Sequence, residues 1–316
     1  IGHGIAREFG ACQKVGYAAD QFGNITQLPQ ILADFGIHSF VFGRGYSRYE
    51  KDQNGAYRRK LFPCEFIWRG ADGTQALAVN MTYWYNNAQR FPRDLKKALD
   101  VLHTNEKYFR DIAGTPYLLL MNGVDHLEAQ DDLLPILEEL DRSQEGGDRV
   151  CQCKLEDYIR QVQGYIDRHD VKLTVHTGEL HEGSDQDILK GTLSSRTYLK
   201  TANVKAQNCL ECRLEPLYAL LELAGMKGIC STDHFRFMWK ELLKNHPHDS
   251  ICGCSVDAVH VRMEDQYARL ADVFGEMLAR GMDAAAEHME LDGCANENYM
   301  IVVANTTEYV QSGVVK

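Results

Sequence analysis

Apolar runs of strand length alternate with amphipathic segments of helix length over the first 190 residues. The apolar runs predict strands at 14–19, 38–43, 65–69, 76–82, 116–123 and 171–176. The 3.6-residue spacing predicts helices at about 25–35, 93–112, 131–141 and 155–168. This alternation is typical of an α/β fold with a mostly parallel sheet, and we expect an incomplete, seven-stranded type of α/β barrel.

The pattern changes to helices alone after about residue 190. An apolar stripe steps by four and three through Leu210, Leu214, Leu217 and Leu221, and similar stripes follow as far as residue 277. These stripes predict an antiparallel three-helix bundle, and a β-like run from residue 299 predicts a further β domain. We therefore expect a catalytic α/β domain at 1–189, a helical bundle at 190–292 and the first strands of a C-terminal β domain at 293–316. Because the chain opens on Ile1, we also expect it to be an interior piece of a longer protein.

Composition narrows the class of protein. The formal net charge is −11 and the sequence has no basic stripe, which argues against nucleic-acid binding as the main task. The sequence shows neither an apolar run long enough to span a membrane nor a secretion signal. The ten cysteines lack zinc-ribbon spacing. They predict free, mostly buried thiols in a reducing compartment, hence a cytoplasmic protein.

Charged side chains follow three of the predicted strands. Asp20 ends the first, Arg44 the second, and Asp125 with His126 ends the run at 116–123. Residues at the carboxyl ends of parallel strands line the ligand crevice of such folds. Paired carboxylates suit glycosidic cleavage, in which one attacks the sugar and the other protonates the leaving oxygen. Asp20 also has a simpler interpretation, since a turn aspartate commonly bonds its own backbone or caps the next helix.

A second polar cluster lies at 244–250, where the second predicted bundle helix ends. His248 and Asp249 belong to the segment Lys-Asn-His-Pro-His-Asp-Ser, which places imidazoles beside a carboxylate. Such a group can bind a metal or a substrate. An exposed polar helix terminus is the alternative, because histidine favours the negative end of the helix dipole.

Five motifs, taken together, resemble a known family. They are Tyr-Ala-Ala-Asp20-Gln-Phe-Gly, Val-Phe-Gly-Arg44-Gly, Leu-Met-Asn-Gly-Val-Asp125-His126, Leu-Ser-Ser-Arg196 and Asn-His-Pro-His248-Asp249-Ser. In this order they resemble the α-mannosidases of glycoside hydrolase family 38, most closely the bacterial branch that includes mannosylglycerate hydrolases. The resemblance implies a zinc-dependent, retaining mannosidase with a catalytic α/β domain, a helical bundle and a β-sandwich.

The resemblance also implies residue roles. Asp20 would be both the nucleophile and a zinc ligand, His248 a second zinc ligand, and Asp125 the acid/base. Phe22, Arg44 and Asp249 would bind the sugar, Phe22 by packing on its apolar face. We add from the sequence itself that His126 lies next to Asp125 and could orient it.

One departure concerns the metal. The family's other two zinc ligands come from a His-x-His-Trp-Asp type of segment, and this segment is not found here. We expect it upstream of Ile1, so that the chain by itself binds zinc poorly and is inactive.

The sequence thus predicts a hydrolase of carbohydrate and mannose metabolism. It would cleave α-linked mannose from oligosaccharides or small mannosides through a covalent glycosyl-aspartate intermediate, without nucleic-acid or membrane partners. A zinc-dependent carbohydrate deacetylase, a hydrolase of mannosylglycerate or its phosphorylated form, and a non-catalytic carbohydrate-binding module stay open. Arginines 44, 48, 58 and 59 would suit a phosphate group. Linkage, aglycone and a possible homo-oligomer are left open by the sequence.

Overall fold

The computed structural model describes residues 1–46, 49–59, 63–81, 84–144, 146–183, 188–289, 301, 303–307 and 309–313. Its strands are β1 (Gly16–Ala18), β2 (Ser39–Phe42), β3 (Tyr49–Lys51), β4 (Tyr57–Arg59), β5 (Glu65–Arg69), β6 (Gln75–Asn80) and β7 (Val175–Thr177). Its helices are α1 (Gly2–Phe9), α2 (Leu28–Asp34), α3 (Leu95–Phe109), α4 (Leu133–Ser143), α5 (Leu155–His169), α6 (Thr197–Cys209), α7 (Glu215–Leu223), α8 (Thr232–Leu243), α9 (His248–Cys252) and α10 (Asp257–Glu287). The chain divides into two units, Ile1–Leu189 and Lys190–Lys316.

The first unit is a mixed α/β structure built on a five-stranded, mostly parallel sheet in the order β1-β2-β6-β5-β7. β1 pairs with β2, β2 with β6 and β5 with β7 in parallel, whereas β5 and β6 are antiparallel neighbours. The short turn from Gly70 to Thr74 joins β5 to β6, and so short a connection permits only antiparallel pairing. The barrel expected from the sequence stays a prediction.

Both faces of the central strands β2, β6 and β5 are largely buried, as is typical of a parallel sheet. Phe40, Phe42, Phe66 and Trp68 form an aromatic cluster on one face. The other face carries an aliphatic cluster that includes Val41 and packs with α5. Because the strands alternate between two apolar surfaces, the sequence reads as continuous apolar runs.

The predicted strand at 116–123 is wrong. The structure gives residues 117–124 no regular secondary structure, although Tyr117, Leu119 and Met121 pack with one cluster and Leu120 with another. The side chains of this segment therefore alternate between two apolar clusters as in a strand, but its backbone pairs with no β-strand among the described residues. The remaining strand and helix predictions for this unit fall on observed elements, with the ends shifted by a few residues.

The helices of the second unit surround one core. Leu210, Leu214, Leu217 and Leu221, the predicted stripe, are all buried there. Helices α6, α7, α8 and α10 supply this core, and Gly281 of α10 lets Leu217 approach closely, since an added Cβ would lie 2.8 Å from it. The predicted arrangement as a three-helix bundle stays a prediction.

A π-helical turn, Leu210–Leu214, separates α6 from α7. Pro216 follows directly and has no N–H to donate to the carbonyl oxygen of Cys212, four residues earlier. The hydroxyl of Thr306 donates to that oxygen instead, at 2.7 Å. A loss of one backbone hydrogen bond thus coincides with the local widening of the helix.

Three further predictions concern the termini and the thiols. The β domain predicted from 293 falls largely outside the described residues, and those described between 301 and 313 include no strand. The nine described cysteines are free, but only Cys64 is buried, so the expectation of mostly buried thiols is wrong. No helix in the described part of the chain is long and apolar enough to cross a membrane.

Glu65 is a fully buried carboxylate in β5. It accepts hydrogen bonds from the N–H of Gly114 at 2.8 Å and from the hydroxyl of Thr115 at 2.9 Å. Burial raises the pKa of Glu65, and these two hydrogen bonds act in the opposite direction. Glu65 thereby attaches the start of the irregular segment at 114–124 to the sheet.

The raised pKa of Glu65 predicts a pH-dependent stability. The folded state holds this proton to higher pH than the unfolded state does. The free energy of unfolding therefore falls as the pH rises from the ordinary value of 4.5 through the raised one. Glu65→Gln removes this loss, so the variant should gain stability relative to wild type as the pH rises above 4.5, measured by urea unfolding. Glu139→Gln, on an exposed residue of α4, should show no such trend, and a pH-independent difference for Glu65→Gln would contradict the assignment.

Candidate active site

Asp20 and Arg44 form an ion pair at the carboxyl ends of β1 and β2. Arg44 Nε lies 2.5 Å from Asp20 Oδ1, and the two side chains are only 15% and 18% exposed. The pairing of Gly16 with Phe40 sets an offset of 24 residues between the strands, and Asp20 and Arg44 keep this offset. The register of two parallel strands therefore brings the two charges together.

Two aromatic rings flank the guanidinium of Arg44. Its Cζ atom lies 5.1 Å from the ring centroid of Phe22 and 4.5 Å from that of Trp84. Such cation–π contacts hold an arginine in one orientation and shield it from water. Phe22 is buried and contacts Arg44. Its packing on a sugar stays a prediction.

Tyr85 connects the two carboxylates of the site. Its hydroxyl donates to Asp125 Oδ2 at 3.0 Å. Burial raises the pKa of Tyr85 to about 12, and the hydrogen bond to Asp125 and the charges of Asp20 and Asp125 add to this. The ring centroids of Tyr85 and Trp84 lie 4.6 Å apart, and Trp84 contacts Arg44, so a chain of contacts leads from Asp125 to the ion pair.

Asp125 occupies a turn that follows the irregular segment, and its side chain is exposed. The prediction that it ends a strand is wrong. Its described hydrogen bond comes from Tyr85. The adjacent His126 is exposed, with a φ of 62°, and its role in orienting Asp125 stays a prediction.

A segment after β7 ties together the loops that follow β1 and β2. Asn24 and Leu180 exchange two backbone hydrogen bonds of 2.9 Å, and the N–H of Glu182 donates to the carbonyl oxygen of Gly45 at 3.0 Å. One loop follows Asp20 and the other follows Arg44. The segment at 180–182 therefore supports both members of the ion pair.

Two glycines permit this close approach. Gly23 has a φ of 119°, and an added Cβ would lie 2.5 Å from Cδ2 of His181. Gly45 has a φ of 104°, and an added Cβ would lie 2.3 Å from the carbonyl oxygen of Leu180. At Gly45 the obstacle is backbone, which cannot turn away as a flexible side chain can.

His248 and Asp249 lie in the second unit, in the first turn of α9. His248 Nε2 is 3.7 Å from Asp249 Oδ1. The thiol of Cys254 donates to the same oxygen at 3.2 Å. Burial raises the pKa of Cys254 to about 11, and the hydrogen bond to Asp249 and its charge add to this increase. Arg196 Nε donates to the carbonyl oxygen of Gly253 at 3.2 Å and holds the end of this turn.

The described residues do not by themselves fit a zinc centre. They include no group of three or more histidine, cysteine, aspartate or glutamate side chains placed to hold a metal ion. The two ligands implied by the resemblance, Asp20 and His248, fall short of the three that catalytic zinc usually has. The sharing of one metal by these two residues stays a prediction.

Trp84 and Tyr85 are site residues that were not predicted from the sequence. The third parallel strand in the sheet is β6, which pairs with β2 through Phe42 and Asn80, and these aromatic residues follow its carboxyl end. An aromatic pair directly after a predicted strand was the available signal. The sequence predicts the strand itself at 76–82, but only charged residues at strand ends were candidates.

Sequence and structure comparisons agree on one family. Residues 2–179 match the N-terminal domain of the glycosyl hydrolases family 38, and residues 187–284 match the alpha mannosidase middle domain. The chain belongs to glycosyl hydrolase family 38.

Several relatives extend this result. The "Putative mannosylglycerate hydrolase" of Halalkalibacterium halodurans is 33% identical over 261 residues, which cover 82% of this chain and 28% of the relative. An alpha-mannosidase from Enterococcus faecalis V583 has a TM-score of 0.78 at 32% identity and covers 90% of this chain and 31% of its own. A second family 38 protein from Enterococcus faecalis has a TM-score of 0.66 at 28% identity, over 90% of this chain and 28% of its own. The chain thus spans less than a third of these family 38 relatives.

Gly45→Ala tests the close approach beside the ion pair. Backbone strain at φ 104° and the contact with Leu180 should together lower the free energy of unfolding by roughly 2 kcal/mol or more. Gly55→Ala is the matched control, because Gly55 has a φ of 79° but open space around its Cα, and should cost about 1 kcal/mol. Urea unfolding measures both. Equal losses would show that the 180–182 segment does not press on Gly45.

Proposed function

We propose that this chain contributes the nucleophile and the acid/base of a retaining glycoside hydrolase that releases α-linked mannose. Membership of family 38 supports the reaction class. The chain of contacts from Asp125 through Tyr85, Trp84 and Arg44 to Asp20 is the observation that supports the residue assignment. The double displacement requires two carboxyl groups that flank the glycosidic bond.

In the first step, a carboxylate oxygen of Asp20 forms a bond to the anomeric carbon while the glycosidic bond breaks. Asp125 gives its proton to the leaving oxygen, and the alcohol departs. Arg44 holds Asp20 in place through the ion pair, and Tyr85 orients Asp125 through the hydrogen bond. Fixed orientation of the reacting groups lowers the entropic part of the barrier.

In the second step, Asp125 accepts a proton from water. The water oxygen forms a bond to the anomeric carbon, and the bond between that carbon and Asp20 breaks. Two inversions restore the original configuration, and Asp125 regains its proton for the next cycle.

The substrate class follows from the relatives. We propose α-mannosides, either oligosaccharides or small mannosides, with mannosylglycerate as a specific candidate because of the name of the Halalkalibacterium halodurans relative. Of the arginines that would suit a phosphate, Arg44 is occupied by Asp20 and Arg48 lies outside the described residues. Family membership does not favour a deacetylase or a non-catalytic module.

Zinc dependence is proposed from the family resemblance alone. Asp20 and His248 would contribute two ligands, and Asp249 would contact the sugar beside them. When bound, zinc would hold the hydroxyls of the sugar next to the reacting carbon. The steps above rest on Asp20 and Asp125 and assign none of the chemistry to the metal.

Asp20→Asn tests the nucleophile in the intact protein. The amide cannot form the glycosyl ester, so turnover of an aryl α-mannoside should fall at least about a thousandfold while the circular dichroism spectrum stays unchanged. An activated fluoro-mannoside should label wild type on the peptide that contains Asp20. Asp34→Asn, on the exposed end of α2, should retain full activity. Unchanged turnover of Asp20→Asn, or a label on another residue, would defeat the assignment.

A zinc titration tests the metal prediction. The chain 1–316 by itself should bind zinc weakly in isothermal titration, because the proposed ligands number two. It should also show no mannosidase activity. Tight binding at one zinc per chain, lost in His248→Ala, would show instead that this chain holds a complete site.

A further inference from the structure

The irregular segment that carries Asp125 is held by side-chain amides in place of a neighbouring strand. Its residues Tyr117 to Met121 alternate between two apolar clusters, as a strand would. Strands obtain their backbone hydrogen bonds from a partner strand, and buried backbone groups need such partners. Here the partner is the carboxamide of Asn87.

Asn87 makes the two hydrogen bonds that a peptide group of a neighbouring strand would make. Its Nδ2 donates to the carbonyl oxygen of Leu119 at 3.1 Å, and its Oδ1 accepts from the N–H of Met121 at 2.6 Å. The N–H of Ala88 then donates to the carbonyl oxygen of Met121 at 2.9 Å and continues the pattern. The backbone presents both an acceptor and a donor here, and the carboxamide satisfies both because it carries an NH2 group and a carbonyl oxygen.

Asn87 is itself held from the opposite side. The buried Asn105 of α3 donates from Nδ2 to the carbonyl oxygen of Asn87 at 3.1 Å. Asn122 donates from Nδ2 to the carbonyl oxygen of Ala88 at 2.9 Å. Residues 87–88 are thus clamped between helix α3 and the segment at 119–122.

The contacts of Asn87 lie close in sequence to both partners of the hydrogen bond between Tyr85 and Asp125. Asn87 follows Tyr85 by two residues, and Met121 precedes Asp125 by four. A change in the distance from residue 87 to residue 121 must therefore move the donor and the acceptor of that hydrogen bond relative to each other. We propose that Asn87 is a positioning residue for Asp125, an inference that rests on the proposed function.

A purely structural role for Asn87 predicts a different outcome. If the carboxamide only stabilised the fold, its loss would lower all activities together through the amount of folded protein. If it positions Asp125, its loss should affect the step in which the proton is given to the leaving oxygen. Substrates that need this proton and substrates that do not will then respond differently.

The test compares two substrates in the intact protein. 4-Methoxyphenyl α-mannoside has a poor leaving group and needs the proton, whereas 2,4-dinitrophenyl α-mannoside does not. In Asn87→Leu, kcat/KM should fall about tenfold to a hundredfold for the first and change less than about threefold for the second. The isosteric Asn87→Asp keeps the acceptor for Met121 but presents an oxygen to Leu119, and it carries the same test if Asn87→Leu does not fold. Asn86→Leu is the matched control, since Asn86 donates to the side chain of Gln89, and it should leave the ratio of the two values unchanged.

Each outcome has a distinct meaning. Equal losses on both substrates, or no loss in a folded Asn87 variant, would overturn the positioning role while leaving the mannosidase assignment in place. Wild-type protein that cleaves neither substrate would overturn the proposed function and with it this inference. A selective loss that matches Asp125→Ala in direction would support both.

Discussion

The parallel register of β1, β2 and β6 is the constraint on which the site depends. It sets the offset of 24 residues that joins Asp20 to Arg44, and it brings Trp84 and Tyr85 to the same edge of the sheet. A shift by one residue would turn each strand over and exchange the two apolar faces of the sheet. The two buried clusters therefore stabilise the position of Asp20, the proposed nucleophile, as well as the fold.

Much of the first unit could be predicted from the sequence because its strands are buried on both faces. Apolar runs bounded by polar turns marked β1, β2, β5 and β6, and parallel pairing made Asp20 and Arg44 neighbours. The run ending before Asp125 misled for a physical reason. Apolar alternation reports which surfaces a segment touches, whereas a strand also needs a backbone partner, and at Leu119 and Met121 that partner is the side chain of Asn87.

The second unit shows a similar division. The buried stripe from Leu210 to Leu221 was visible in the sequence because its spacing suits any helix that faces a core. The π-helical turn was not visible in the sequence. It lies where Pro216 lacks a backbone N–H and where the distant Thr306 donates to the carbonyl oxygen of Cys212. The role of His248 came from resemblance alone, since an imidazole at a helix start has several ordinary explanations.

The amide-held segment gives the two proposed catalytic carboxylates unequal mechanical freedom. Asp20 directly continues a strand whose neighbours are buried, so it moves only if the sheet moves. Asp125 lies on an exposed turn and accepts a hydrogen bond from Tyr85, and side-chain amides hold the segment before it. Local opening of such a turn needs little free energy. An acid that becomes a base within one cycle must serve two oxygen atoms in turn. The hydrogen bond from Tyr85 and the amide contacts of Asn87 would then set how far the proposed acid can move between these two atoms.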